Sequence, residues 1–238
     1  MFSGQFSKQV LRKLHQRLCQ PPCQRLIRAF RFGVLVLVAG TAALAQGCGQ
    51  RDAGRVTAFN EQYAKTVEML ERTVAASYPY QLAETPESEI VNRVFARIRA
   101  RSASRADFEE ALQAERERGW YLDHFAAEVE AFRAAIAELS RHAGAIGGTE
   151  MRDAAAEVAR RFAASLESAG GLLAAQRARS QHVVVFFTEI ISRERRFPAL
   201  SEMEATGEQM QRLRESMLQR MREHEAAFGK FQDLAVAR

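Results

Sequence analysis

The stripe Leu122, Phe125, Val129, Phe132, Ile136 and Leu139 constrains this chain more than any other feature. Its steps alternate between three and four residues, a seven-residue repeat that puts every apolar side chain on one face of an α-helix. Such a face has to be buried against other helices, as in a coiled coil. The stripe predicts a long helix from about Arg105 to His142, capped by Ser104 and stopped by Gly144 and Gly147-Gly148.

The same spacing recurs on either side. Val56, Phe59, Tyr63, Val67, Leu70 and Val74 predict a first helix over about Arg55 to Ala76, ended by Tyr78-Pro79-Tyr80. Thr85-Pro86-Glu87-Ser88-Glu89 reads as a helix start, with a capping hydroxyl, a proline that fits the first turn and acids at the positive end of the dipole. Ile90, Val94 and Ile98 then mark a short second helix. A fourth begins near Thr149 with Met151, Val158, Phe162, Leu166 and Ala169 inward, and Gly170-Gly171 is a place for a kink. The run from Val183 to Phe187 has strand character. Its continuation through Ile190 and Ile191 keeps helical spacing, and no partner strand exists in the sequence, so a buried helix ended by Phe197-Pro198 is expected. Ser201-Glu202-Met203-Glu204 forms a capping box for a last helix to about Leu234. Met203, Met210, Leu213, Met217, Met221, His224, Phe228 and Phe231 point inward along it. The fold class expected is all-α: an antiparallel bundle of four to five long helices, one domain over residues 55–238.

Ahead of the bundle the chemistry changes. Lys8, Arg12, Lys13, Arg17, Arg25, Arg28 and Arg31 precede any acid, and no residue from Phe32 to Gln50 is charged. A basic start, an apolar run and then a mixed-charge chain is the layout of an export signal. The apolar segment Phe32 to Ala45 is shorter than the roughly 20 residues of a membrane-spanning helix. It closes on Leu44-Ala45-Gln46-Gly47-Cys48, which resembles the lipobox of bacterial lipoproteins. The resemblance covers about the first fifth of the chain. It departs from the usual pattern at Ala45, where leucine is common, and at Gln46.

The resemblance implies a signal in residues 1–47, cut between Gly47 and Cys48. Cys48 then carries diacylglycerol on its thiol and an acyl chain, palmitate in type, on its new amino terminus. Residues 48–54 become a lipidated tether reaching at most about 20 Å. Gly49 stands where an aspartate would resemble an inner-membrane retention signal, which implies the outer membrane, facing the periplasm. Two other readings remain open: a plain signal followed by an ordinary cysteine, and a single-span anchor. Both keep the basic side in the cytoplasm and put the bundle outside it. A basic amphipathic helix over Ser7 to Leu18, broken at Pro21-Pro22, also suits a mitochondrial presequence, although a long bacterial leader is the simpler account.

Charge location excludes one function class. The whole chain carries +5, but its seven leader cations leave 27 basic against 29 acidic residues from Cys48 onward. With no basic excess to neutralise phosphates, nucleic acid is not an expected partner. Arg93, Arg97, Arg99, Arg101 and Arg105 cluster at the end of the second helix, where they either touch anionic headgroups or form a solvated face favoured by the helix dipole. Cys19, Cys23 and Cys48 are the only cysteines, so the bundle has no disulfide and rests on packing. Cys19 and Cys23 have no second pair with which to complete a metal site.

Catalytic patterns are missing. The residues three before His124, His142, His182 and His224 are Tyr121, Leu139, Arg179 and Met221, so no Glu-x-x-His pair for a di-iron bundle exists. His-Glu-x-x-His, Cys-x-x-Cys-His, Gly-x-Ser-x-Gly and phosphate-loop patterns are also lacking. His124 and Glu128 are one turn apart, a common surface pair and an incomplete metal site. His224 reads as a hydrogen-bonded residue at the core boundary. Trp120-Tyr121 and Tyr78/Tyr80 either line a pocket or fill a bundle end, and the methionine stripe is either packing filler or an adaptable surface. No enzyme, cofactor or catalytic residue is expected. The expected function is a membrane-anchored, non-catalytic envelope lipoprotein that scaffolds or binds another protein. The alternative is a carrier or sensor of small apolar ligands held in the core.

Overall fold

A computed structural model of the chain describes residues 50–80, 85–192 and 200–236, with side chains described except at 50–52, 200–204 and 221. Gly47, Cys48 and the rest of the leader lie outside the described residues. The described elements are all helices: α1 (Gln50–Ser77), α2 (Pro86–Arg99), α3 (Arg105–Ala145), α4 (Thr149–Ser192) and α5 (Leu200–Val236). None of them is long and apolar enough to cross a membrane.

Side-chain bonds between helices fix the topology. Gln62 of α1 donates to the Ala135 carbonyl and Thr73 to the Glu128 carbonyl, so α1 and α3 are antiparallel. Arg161 of α4 meets Glu223 of α5, and Ser168 meets Ser216, which makes that pair antiparallel as well. Asn60 of α1 bonds Gln232 of α5 and closes the ring. Along α2, Arg93 pairs with Glu110 and Arg97 with Asp107, the same descending order on α3 that α1 follows. Thus α1 and α2 form one helical track, interrupted between Ser77 and Pro86. With α3, α4 and α5 they make an up-down-up-down four-track bundle. The 41 residues of α3 give it a length of about 60 Å.

Local chemistry sets the ends. Thr85 accepts a hydrogen bond from the Ser88 amide, and Pro86 occupies the first turn of α2. Ser104 forms a reciprocal box with Asp107, each side chain bonding the other's backbone amide. The end of α2 is wrapped by Ser102 N–H to the Arg97 carbonyl and Arg101 N–H to the Ile98 carbonyl. Arg101 takes φ 55°, a left-handed position that glycine usually fills and that costs another residue about 1 kcal/mol.

Three apolar layers stack along the bundle. At the end containing the α3–α4 turn, Phe59, Phe132, Phe162 and Phe231 are fully buried, one from each of α1, α3, α4 and α5. Each contributes roughly 1.5–3 kcal/mol through burial. In the middle, Phe125, Val129, Leu172, Met210 and Met217 pack together. At the far end Val91 and Val94 of α2 pack on Ala111, Ala114, Val183, Phe186 and Phe187.

Three expectations need revision. The Val183–Phe187 run is not a separate helix but the last part of α4, which continues for 44 residues through Gly170-Gly171. Those glycines serve packing: a Cβ on Gly171 would lie 3.3 Å from Leu213 of α5, so its absence lets the helices approach. Residues 50–54, expected as tether, already belong to α1. The only helix-weakening residue among them, Gly54, faces open space, and Thr57 bonds the Ala53 carbonyl. His224 is fully buried rather than at the boundary. The expected Ser201 cap lies where side chains are not described.

Candidate functional site

Charged side chains reach the interior where the first track breaks. At the end of α1 the last carbonyls have no helical donor and must find one elsewhere. Gln176 of α4 donates from Nε2 to the Ser77 carbonyl at 3.0 Å, and Arg118 of α3 donates from Nη2 to the Tyr80 carbonyl at 2.5 Å. Arg118 also donates from Nη1 to Glu115 Oε2 at 2.7 Å, while the Tyr80 hydroxyl donates to Glu115 Oε1 at 2.9 Å. The guanidinium lies over the Tyr80 ring, 4.3 Å from its centroid. The Glu115 side chain is 0% exposed and that of Arg118 9%. Losing either partner would leave the other buried and uncompensated, the costly case for an ion pair.

Electrostatics act on the phenol of this cluster. Burial first, then the Glu115 carboxylate, raises the Tyr80 phenol far above its ordinary range, with Arg118 and Ser180 opposing. Tyr80 is therefore a proton-bearing donor and not a nucleophile. Tyr121, one turn beyond Arg118, is raised for the same first reason and then by Glu87. Among the described residues Arg118 Nε and Gln176 Oε1 have no hydrogen-bond partner, places that suit a buried water. The arrangement binds a broken helix to its neighbours and does not present a reactive group.

A second polar layer lies in the aromatic end. The Tyr63 hydroxyl of α1 and His224 Nδ1 of α5 are 3.4 Å apart. The imidazole stacks on Phe162 of α4 at 4.3 Å, and Phe228 stacks on Tyr63 at 3.6 Å. Burial lowers His224 to about 4, so the ring is neutral at pH 7. Burial, then the charge of Glu225, raises the Tyr63 phenol.

The sequence-flagged residues separate in space. His124 is exposed and stacks on Trp120 at 5.7 Å, whereas Glu128 is buried and receives Arg72 at 2.7 Å. Among the described residues no three His, Cys, Asp or Glu side chains are grouped to hold a metal. Trp120 is 49% exposed, while Tyr80 and Tyr121 fill the middle layer. Met210 and Met217 are core packing; Met203 and Met221 fall among the undescribed side chains. In the arginine cluster Arg93, Arg97 and Arg105 are engaged by Glu110, Asp107 and Glu109. Gly47 and Cys48, the expected cleavage and lipidation residues, are outside the described residues.

Glu115, Arg118 and Gln176 were missed by sequence reasoning, although a signal existed. Counting back from Leu122 by four and three lands on Arg118, Glu115 and Ala111. The charged pair thus occupies inward positions of the seven-residue repeat. A comparison with protein families, with curated proteins and with solved structures returns no match for this chain.

Proposed function

We propose that this chain is a lipid-anchored, non-catalytic helical bundle of a bacterial envelope, held by Cys48, that presents its outer surface to another protein. The observation that carries the reading is the lipobox-like Leu44–Cys48 segment, which stops two residues before α1 begins at Gln50. So short a spacing brings the α3–α4 turn end of the bundle to the bilayer, because α1 starts at that end. The arginine-bearing end of α2 then points away, about 60 Å out along α3, which argues against its touching the headgroups of the anchoring membrane. Gly49 favours the outer membrane, with the bundle in the periplasm.

Binding at the surface fits the interior better than carriage of an apolar ligand, since the three layers are filled by mutually packed side chains. Trp120 is the surface feature that supports a protein partner. It is a large, half-exposed aromatic on a rigid helix, the kind of residue that anchors interfaces. Mass spectrometry of the mature amino terminus is expected to find an acylated Cys48. A photo-crosslinking residue at Trp120 is expected to capture one envelope protein from intact cells. An unmodified chain starting at Met1 would overturn the anchor, and a mature domain that stays monomeric and captures nothing would overturn the partner.

A further inference from the structure

We propose that α2 is a lid: it lifts off α3 and α4 as a unit and uncovers the apolar layer beneath it, while α1, α3, α4 and α5 stay packed. Helix strength alone does not hold it in place. A helix of 14 residues is marginal in water, so α2 persists through what it rests on. Val91 and Val94 pack into a seat made of Ala111 and Ala114 from α3 and Val183, Phe186 and Phe187 from α4. The Phe95 ring lies 5.6 Å from that of Phe186 and 5.3 Å from that of Phe187.

The polar fastenings of α2 run to α3 and lie at the surface. Arg93 donates to both carboxylate oxygens of Glu110, Arg97 donates to Asp107, and Glu87 stands against the Tyr121 hydroxyl. The Arg93 and Glu110 side chains are 47% and 46% exposed and that of Arg97 48%, so water and salt compete for both ion pairs. The lid is therefore held mainly by its apolar seat.

The neighbouring helices keep their own supports when α2 leaves. Gln176 of α4 meets the Ser77 carbonyl and Arg118 of α3 meets the Tyr80 carbonyl, and neither bond involves α2. At the start of α3, Asp107 accepts from the Ser104 amide and hydroxyl; these bonds, ahead of the Arg97 charge, hold its carboxyl below the ordinary carboxylate range. The cap thus survives the loss of Arg97. The link from α2 to α3 passes through Arg101 at φ 55°, a strained backbone that lifting lets relax. Ala111, Val183 and Phe187, at most 2% exposed with the lid down, then form an apolar strip at the far end of the rod.

Hydrogen exchange on the full chain at pH 7, with and without low urea, tests this. Amides of 91–99 are expected to be roughly 100-fold less protected than those of 122–139, and to respond less steeply to urea because a small opening exposes little surface. Ile136→Val, in the layer at the other end, is expected to lower protection over 122–139 by roughly two- to tenfold and to leave α2 unchanged. Val94→Ala is expected to raise the opening of α2 by roughly tenfold. Equal protection and urea response in α2 and α3, a fall in α2 with Ile136→Val, or no change in α2 with Val94→Ala would overturn the proposal. So would an α2 with no protection at all, or one that opens only together with 111–118 of α3.

Discussion

At the helix break Glu115 and Arg118 bury full opposite charges, with Tyr80 and two backbone carbonyls completing their bonds. At the aromatic end Tyr63 and His224 meet without formal charge between stacked rings. Both layers sit at inward helix positions and both join several helices, yet they respond to different insults. The charged layer is intolerant of losing one member. The neutral layer tolerates substitution better but is exposed to protonation. A bundle can thus place polar residues in its core either by closing the bonds of a charge or by burying a base weak enough to stay neutral.

The sharpest way to break that contrast is to remove one charge. Glu115→Leu is expected to destabilise by about 3–5 kcal/mol, and Glu115→Leu with Arg118→Met to recover much of the loss, because the pair leaves together. Denaturant titration of the single and double variants measures this, and a double variant as weak as the single one would contradict it. Next in size is acid. His224 has a folded value of about 4 against an unfolded 6.5, so the unfolded chain binds the extra proton. Its contribution is complete above pH 6.5, falls as pH drops through the window to 4, and reaches about 3 kcal/mol lost. Urea midpoints across that range should show the fall, and His224→Gln should flatten it.

Smaller still, Tyr63→Phe keeps the ring stack on Phe228 and removes only the hydroxyl, for an expected loss near 1 kcal/mol. A larger loss would mean that the Tyr63 hydroxyl matters more than its 3.4 Å contact suggests. Arg101→Gly runs the other way. Relief of the left-handed backbone at φ 55° should raise stability by about 0.5–1 kcal/mol, read as a higher melting temperature.

The four-and-three spacing made the helices legible, because each had a continuous apolar face: Leu122 to Leu139 falls where the repeat puts it, in the first two layers. The caps at Thr85 and Ser104 were legible because a hydroxyl before a proline or an acid has few other uses. What escaped were effects set by a neighbouring helix. Gly170-Gly171 reads as a weak point until Leu213 is seen against it. The Val183 run reads as separate because its β-branched residues mask a helical face that only α2 and α3 complete. For the site the balance is poorer. Arg118 and Glu115 drew no reading, since nothing local in sequence announces Tyr80 as their third member. His224 was placed on the right stripe but at too shallow a depth.

Two of the rod's spines, α3 and α4, run unbroken past the Ser77–Pro86 gap, whereas the track across from them is jointed there. The two polar bonds at this place, Gln176 of α4 to the Ser77 carbonyl and Arg118 of α3 to the Tyr80 carbonyl, both fall on the α1 side of it. The end of the first helix is thereby stapled sideways, to α4 and α3, rather than lengthwise to α2.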